Sequence, residues 1–413
     1  MLMKRSCCFI LLLAMMLMSA VGVMAQSTLH IISGVVRDDA TGRKLPQASV
    51  TVPGSHAATV TNSDGFFTLK TSSPPPYIMV SCLGYNAIKV ALDGISDQKL
   101  KIRMQPGTIT LSELIVSNMN PNEIVAAAVA KIPDVFSKNN EMLRCFYRET
   151  TQKGRRYIYV AEAVTNVWKH GYNRFTGVDR VSIEKGRRLV NVRSTDTLGA
   201  KIQGGPTLPV DLDLMKNTEM LLHPKELACY NLRMEIPVSL GGRPQLVVSF
   251  DPACITDHVL YHGKMYIDRQ TLAFTRIEMS LDMSDEGKVT EAILMRKPLG
   301  VRFKPRSLDI TVAYGFDNGV SRMHYVHSEI SFTCEWRKKF FASPYHVEAE
   351  MVVTDLLEDE GQHISAREAF HPNNSFFDKV EMFDDPDFWA DYNIIEPSES
   401  LEHAIGKIRK SNR

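Results

Sequence analysis

Apolar and polar residues alternate along most of this chain, and the alternation predicts strands. In residues 48–52 every second side chain is apolar, which is typical of a strand with one buried face. Similar short runs recur across residues 30–106, separated by Gly, Pro, Asn and Asp. One separator is Asp64-Gly65, where glycine accepts the positive φ of a tight turn. This N-terminal part is therefore predicted to be a small all-β unit.

Longer alternating runs occupy residues 120–355 and predict a larger antiparallel sheet with one buried and one wetter face. We expect this sheet to be curved, with two helical segments across its concave side. Asn120, Pro121 and Glu123 predict the start of the first helix, which ends or kinks at Pro133.

The second helical segment is predicted at Leu212–Leu227, with Pro224 as a break. A curved sheet covered by few helices leaves apolar side chains on its concave side that must pack against the helices or against a ligand. The positions expected on the concave side are Tyr266, Phe274, Ile277, Val312 and Tyr314. If the helices cover them only partly, an apolar groove for a lipid, peptide or protein is left open.

Four spaced motifs in the N-terminal unit agree with one family pattern. They are Gly-x-Val-x-Asp at 34–38, Leu-Pro-x-Ala-x-Val-x-Val-x-Gly at 45–54, Thr-x-x-x-Gly-x-Phe at 61–67 and Gly-Tyr at 84–85. The unit resembles the carboxypeptidase-regulatory-like domain, a transthyretin-like, seven-stranded β-sandwich. The resemblance implies an accessory module without catalytic residues of its own, so it transfers no peptidase activity.

The order of elements also resembles envelope proteins of the Bacteroidetes type, in which such a sandwich precedes a long sheet and an aromatic tail. The hairpin at residues 263–271 is similar to the repeating hairpin of periplasmic lipoprotein-carrier and lipid-carrier half-barrels. The predicted fold is mainly β with some α. The predicted parts are a signal peptide (1–25), the sandwich (26–106), a linker strand (107–119), an antiparallel-sheet α+β domain (120–355) and a C-terminal tail with a final helix (356–413).

The N-terminus predicts export from the cytoplasm. Basic residues at Lys4 and Arg5 precede a short apolar run, Phe9 to Met18, and small residues precede Gln26. This is the pattern of a secretory signal peptide, and an uncleaved N-terminal anchor is the alternative. We therefore expect a protein of the periplasm or of the periphery of the outer membrane.

Composition narrows the function without defining it. The 48 Lys and Arg residues nearly balance the 47 Asp and Glu residues, which argues against a general nucleic-acid binder. After the predicted signal, five scattered cysteines are left, with no Cys-x-x-Cys pair. This number argues against a disulfide scaffold, although one disulfide is compatible with it. The five are Cys82, Cys145, Cys229, Cys254 and Cys334.

Residue pairs with a chemical role are few. His258 and His262 have the spacing of metal ligands on a helix, but the surrounding pattern predicts a strand and lacks the Glu of His-Glu-x-x-His. His324 and His327 are expected on opposite faces of a strand, because side chains alternate. The sequence has no nucleophilic-serine motif, phosphate loop or calcium loop. It therefore predicts no catalytic, cofactor-binding or metal-binding residues, and no cofactor.

These observations favour a non-enzymatic cell-envelope protein that acts as a binding or structural module. Its sheet domain would bind an envelope protein or an apolar ligand. The alternatives are a lipid or lipoprotein carrier, and an accessory to an envelope peptidase or transport system. The aromatic and basic run at 336–341 favours either a strand end or contact with a membrane surface. A TonB-dependent receptor does not fit, because a plug and a barrel of about 22 strands need more residues than follow the sandwich.

Overall fold

The structure is a computed structural model, and it describes residues 29–92, 99–107, 119–173, 177–190, 204–293, 301–336, 342–357, 363–380 and 388–412. The predicted signal peptide, most of the predicted linker strand and residues 337–341 of the basic aromatic run lie outside these ranges. Among the helices within them, none combines the length and the apolar content of a membrane span.

The N-terminal unit is a sandwich of a three-stranded and a four-stranded sheet, as predicted. In the first sheet, β1 (His30–Asp38) lies between β4 (Phe66–Thr71) and β7 (Leu100–Met104). The second sheet has the order β3 (Ala58–Val60), β2 (Ser49–Thr51), β5 (Tyr77–Ser81) and β6 (Ile88–Ala91). Alternate side chains of facing strands fill the space between the two sheets, including the fully buried Val36, Val50, Phe67, Leu69 and Val80.

The rest of the chain is built on one antiparallel sheet of ten strands, which we call the large sheet. Its strands are β8 (Glu141–Lys153), β9 (Arg156–Lys169), β10 (Arg180–Val190), β11 (Tyr230–Leu240), β12 (Arg243–Pro252), β13 (Tyr261–Asp268), β14 (Phe274–Leu281), β15 (Val301–Asp317), β16 (Val320–Trp336) and β17 (Ser343–Leu357). The spatial order is β10-β9-β8-β17-β16-β15-β14-β13-β12-β11. The last strand therefore pairs with the first, and β10 and β11 form the edges. The antiparallel sheet predicted for this region is confirmed.

The first predicted helix is present as α1 (Pro121–Val135). The side chain of Asn120 accepts a hydrogen bond from the Asn122 N–H and donates one to Glu123, each at 3.0 Å, so the N-terminus is capped as expected. Pro133 lies inside the last turn of this helix. The prediction of one helix over Leu212–Leu227 is wrong.

That segment and the residues just before it form only short pieces of helix. Before it lie a 3-10 turn at Gly205–Thr207 and α2 (Leu208–Asp211), and within it lie a 3-10 turn at Thr218–Met220 and α3 (Pro224–Leu227). The chain then continues through α4 (Glu286–Ile293) and a 3-10 turn at Phe376–Asp378 to the final helix, α5 (Glu399–Asn412).

One face of the large sheet, which we call the helix face, carries Cys145 and Tyr147. It packs on α1, on the irregular segment at 204–229 and on Phe376. Of the five residues predicted on this side, Phe274, Ile277, Val312 and Tyr314 belong to this core and are at most 5 % exposed. The chain's own side chains therefore fill this face.

Tyr266 does not belong to that core. Its neighbours Met265 and Ile267 point to the helix face, so strand alternation places Tyr266 on the opposite face. Its hydroxyl donates a hydrogen bond to Glu278 there, at 3.0 Å. The apolar ring suggested a place in the core, but the register of β13 decides which face it occupies.

The opposite face, which we call the tail face, is covered by the C-terminal segment 388–412 and by the sandwich. Phe146 and Val164 of the sheet pack on Phe388, Trp389, Ile394 and Ile395, together with Val60 of the sandwich. Helix α5 packs through Leu401, Ile405 and Ile408 on Val160 and Leu189. The C-terminal segment thus lies between the sandwich and the large sheet over part of the interface between the two domains.

Candidate functional site

The C-terminal segment fastens the sandwich to the large sheet. Lys70 in β4 donates its ammonium to the carbonyls of Trp389 and Tyr392, at 2.6 and 2.9 Å. Asn393 pairs with the backbone of the same lysine, accepting from its N–H at 2.7 Å and donating to its carbonyl at 3.0 Å. Thr59 donates to the carbonyl of Ile394 at 3.0 Å. These bonds fix the position of the sandwich on the sheet.

The two domains also touch directly. The Ser49 hydroxyl and His324 Nε2 lie 3.0 Å apart, and the Gly84 N–H donates to the carbonyl of Ser239 at 2.6 Å. Burial lowers the pKa of His324 to about 4, so this ring is neutral at neutral pH. The contact is therefore made between uncharged groups.

A cavity of about 780 Å³ opens beside these contacts, between the sandwich and β14, and we call it the junction cleft. Its volume is within the range of pockets that bind small ligands. Four cationic side chains line it, and no Asp or Glu is among its lining residues. The lining residues are Arg37, Gly42, Arg43, Lys44, Leu45, Pro46, Gln47, Ser63, Cys82, Leu83, Tyr85 and Arg276.

Two of the four cations have carboxylate partners beside the cleft. Lys44 Nζ lies 2.6 Å from Asp64 Oδ1, and Arg276 Nε lies 2.6 Å from Glu278 Oε1. Arg37 donates to the carbonyl of Gly42 at 3.0 Å. Neither Arg37 nor Arg43 forms an ion pair with a described carboxylate. The cleft therefore carries an excess of positive charge, concentrated on the sandwich side.

Arg276 is held in place from the sandwich side. Its Nη2 donates to Gln47 Oε1 at 2.8 Å. Gln47 has a φ of 57°, a left-handed conformation that costs a non-glycine residue about 1–3 kcal/mol. Its own N–H donates to the carbonyl of Thr61 at 2.9 Å, which helps to keep it in this conformation. Gln47, which positions Arg276 in the cleft, is therefore a residue with a strained backbone.

Asp38 stands next to the cleft behind Tyr85. Its carboxylate accepts hydrogen bonds from the Thr41 N–H at 2.6 Å and from the Tyr85 hydroxyl at 2.7 Å. The Thr41 N–H, followed by the Tyr85 hydroxyl, lowers the pKa of Asp38 to about 2. This carboxylate is thus ionised at neutral pH and hydrogen-bonded both to its own turn and to the wall of the cleft.

Three buried polar clusters lie elsewhere, in the large sheet. On the helix face, Glu149 accepts hydrogen bonds from the hydroxyls of Tyr147 and Tyr159, at 2.7 and 2.5 Å. Burial raises the pKa of Glu149 to about 7, against the opposing effect of these two hydrogen bonds.

The second cluster is on the tail face, where Glu162 binds both Arg148 and Arg187, at 2.7 and 2.6 Å. Burial by itself would raise the pKa of Glu162, but the two guanidinium charges outweigh it and hold the pKa at about 2. In the third cluster, Lys169 lies 2.8 Å from Asp179 and 2.7 Å from Asp213. The members of these three clusters bind one another.

The histidine pairs considered in the sequence do not form a metal site. His258 lies 3.1 Å from Glu226, and His262 is in β13. Within the ranges that the structure describes, no three His, Cys, Asp or Glu side chains are grouped so that they could hold a metal ion. The expectation that His324 and His327 point to opposite faces is wrong.

A β-bulge in β16 explains why His324 and His327 do not point to opposite faces. The register between β15 and β16 shifts between Ala313 and Tyr314, which leaves His324 as an extra residue on β16. His324 then contacts the sandwich, while His327, stacked with Tyr325 on the tail face, lies 3.0 Å from Glu348. No pattern in the residues of β16 indicates this bulge.

Comparison with known proteins identifies the N-terminal unit. Residues 32–116 match the profile of the CarboxypepD_reg-like domain, so this part of the chain is such a domain and the resemblance stated from its motifs is confirmed. None of the curated proteins matches the chain.

Several solved structures align with much of the chain at low identity. A DUF1329 family protein from Desulfovibrio piger shares 9% identity over 59% of this chain and 96% of its own, with a TM-score of 0.26. A LolA superfamily protein from Nitrosomonas europaea shares 12% over 56% and 94%, with a TM-score of 0.19. A putative membrane-associated protein from Bacteroides fragilis shares 10% over 80% and 99%, with a TM-score of 0.16. At these TM-scores the alignments do not bear on function.

Proposed function

We propose that this chain is a non-enzymatic binding protein of the cell envelope and that its ligand is another protein. The observation that carries this proposal is the packing of the helix face. Val125, Leu214, Phe274 and Phe376 are fully buried there in one continuous core. Within the described ranges, the chain's own side chains therefore fill this face, whereas the junction cleft is open.

The polar clusters of the large sheet support a structural role for these residues. Glu162 is 2 % exposed and Glu149 is 0 % exposed, and both have their hydrogen-bond partners within the protein. A catalytic group must reach its substrate within hydrogen-bond distance. Groups buried in this way act by fixing strands and the C-terminal segment to one another.

An envelope location is part of the proposal, and the basic and apolar N-terminus supports it. We expect the mature protein to begin at Gln26 and to fractionate with the periplasm or the outer membrane. N-terminal sequencing of the native, fractionated protein checks both points. Recovery of a chain that starts at Met1 from the cytoplasm would refute the proposed location.

Gentle extraction of the native protein tests the choice between protein partner and carrier. Photo-cross-linking before extraction, followed by mass spectrometry, is expected to give a cross-linked protein and no lipid in molar proportion to the chain. A lipid present at one molecule per chain would favour the alternative, a lipid or lipoprotein carrier. The identity of the cross-linked protein would show whether the chain is an accessory to an envelope peptidase or transport system.

A further inference from the structure

We propose that the junction cleft binds an acidic, partly apolar segment of the protein partner. This inference rests on the proposed function, because it names the surface and the chemistry through which that function would operate.

The positive charge of its lining is the first observation that supports an acidic ligand in the junction cleft. Arg37, Arg43, Lys44 and Arg276 line the cleft, and no carboxylate lines it. Lys44 and Arg276 are each paired with one neighbouring carboxylate, and the ionised Asp38 lies behind Tyr85, so the four cations outnumber these three carboxylates. Guanidinium groups bind carboxylates through two parallel hydrogen bonds, so an acidic side chain suits this surface better than a neutral one.

The distribution of the cations is the second argument. They come from three places in the chain: β1, the turn that follows it, and β14 of the large sheet. A ligand that contacts all of them must carry several negative charges along its length. An extended peptide with acidic side chains meets this requirement, and a single phosphate ion does not.

The apolar part of the lining is the third argument. Leu45, Pro46, Leu83 and Tyr85 also line the cleft. Apolar side chains of a ligand can be buried here at about 25 cal/mol per Å². The cavity of about 780 Å³ is large enough for a few side chains of a short peptide.

Preorganisation is the fourth argument. Arg276 is 17 % exposed and is held by Glu278 and by the strained Gln47. A side chain that is already ordered loses less entropy when it binds a ligand. Because Arg276 belongs to the large sheet and Arg43 to the sandwich, the ligand would contact both domains at once.

Fluorescence anisotropy with a short fluorescein-labelled peptide of alternating glutamate and leucine tests the proposal on the full mature chain. We expect saturable binding that weakens as salt is added, since screening reduces the attraction between exposed charges. Arg43→Glu is expected to raise the Kd about tenfold or more, which is the effect of losing one charge-assisted contact. Arg37→Glu combined with Arg43→Glu should raise it further.

Arg233→Glu is the matched control, because Arg233 is an exposed arginine of β11 whose replacement changes the net charge equally but which does not line the cleft. It should leave the Kd within about twofold of the wild-type value. Unchanged thermal midpoints would show that all variants fold. Equal weakening by Arg233→Glu, or no weakening by Arg43→Glu, would overturn the proposal.

Two further experiments distinguish a peptide ligand from a small anion, and a failure of the cleft proposal from a failure of the proposed function. Inorganic phosphate that displaces the peptide at equal concentration would indicate a small-anion site and overturn the peptide proposal. Native cross-linking is then repeated with Arg43→Glu in place of the wild-type chain. An undiminished cross-link in this variant would leave the protein partner standing but reject the cleft, whereas no cross-link even in the wild type would reject the proposed function itself.

Discussion

The indole N–H of Trp389 donates a hydrogen bond to Glu162 Oε2 at 3.0 Å, which joins the C-terminal segment to β9 of the large sheet. Glu162 also binds Arg148 and Arg187, and Arg148 in turn donates to the carbonyl of Ile395 at 2.7 Å. Removing one member of such a cluster leaves a buried charge without its partner. The cluster therefore makes the C-terminal segment part of the folded core.

Truncation of Trp389 tests this role. Trp389→Ala should lower the free energy of unfolding by about 3–5 kcal/mol, the usual cost of emptying a large buried site. Trp389→Phe keeps an aromatic ring beside Phe146 and loses the bond to Glu162, so it should cost about 1–3 kcal/mol. Urea unfolding of the three proteins gives the values. Equal stability of Trp389→Phe and wild type would show that the hydrogen bond contributes nothing.

Gly65 is predicted to tolerate no side chain. Its φ is +72°, and a Cβ would lie 2.6 Å from the carbonyl oxygen of Val36. Gly65→Val should destabilise the sandwich by at least about 1–3 kcal/mol, the cost of a strained backbone site alone. Gly54 is the matched control, because its φ is +81° but nothing lies within 4 Å of its Cβ position. Thermal melts should show a larger drop for Gly65→Val than for Gly54→Val, and equal drops would contradict the steric part of the argument.

Glu149 is predicted to make the protein less stable at high pH. Its pKa is raised from 4.5 to about 7 on folding, so the stability due to its protonated form is complete below pH 4.5 and is lost as the pH rises through 7. Glu149→Gln should remove this loss, which amounts to about 3 kcal/mol above pH 7. Unfolding free energies measured at several pH values check the sign.

Glu162→Gln is the control with the opposite sign. The folded pKa of Glu162 is about 2, so its stabilisation is present above pH 4.5 and is lost as the pH falls toward 2. The variant should therefore be less stable than wild type at neutral pH and approach it in acid. If both glutamine variants shifted stability in the same direction at neutral pH, the assignment of the two carboxyl groups would be wrong.

His324 is predicted to weaken the contact between the domains in acid. Its pKa falls from 6.5 to about 4 on folding, so the unfolded chain binds the proton first, and stability is lost as the pH falls from about 6.5 to 4. His324→Gln retains a polar partner for Ser49 without this titration. Thermal midpoints recorded between pH 7.5 and 5 should fall less steeply for the variant than for the wild type, and parallel curves would argue against a lowered pKa of His324.

Cys229 and Cys254 are predicted to be the pair that an oxidant joins. The Ala253 N–H donates to the Cys229 carbonyl at 2.8 Å, and the neighbouring Cys254 thiol raises the pKa of Cys229. Both thiols are free in this structure. Oxidised glutathione would accept the two electrons and two protons of the thiols and leave as two molecules of glutathione.

Non-reducing peptide mapping should then recover one cross-linked peptide containing these two cysteines. Burial raises the pKa of Cys145 to about 12 and that of Cys334 to about 11, so both should stay as thiols. Cys254→Ser should abolish the cross-linked peptide. Glutathione adducts on Cys229 and Cys254 without a link between them would contradict the predicted pairing.

Sequence reasoning succeeded where a few neighbouring residues decide the structure. The turn at Gly65 and the cap at Asn120 depend on contacts within about four residues, and both are present as predicted. It failed at Leu212–Leu227 because a distant contact competes with the helix. Asp213 is buried with Lys169 and accepts from the Tyr314 hydroxyl at 3.1 Å, and this site holds the segment in an irregular path.

The junction cleft lay beyond sequence reasoning for a similar reason. Arg43 and Arg276 are far apart in the chain, and each alone is an ordinary polar residue at a turn or on a strand. Only the docking of the sandwich on the sheet brings them to one cavity. That docking depends on the C-terminal segment, whose contacts with Lys70 and Thr59 join the two ends of the chain.

The pairing of β8 with β17 has a consequence for the synthesis of the protein. A growing chain can form β8–β10 and β11–β16 as separate half-sheets, but the seam between them closes only after residue 357 has emerged. Until then β8 and β16 each expose an unpaired edge, which is a template for aggregation. Closing a seam between strands so distant in sequence is slow. The nascent chain therefore needs protection from aggregation at these two edges until β17 has been synthesised.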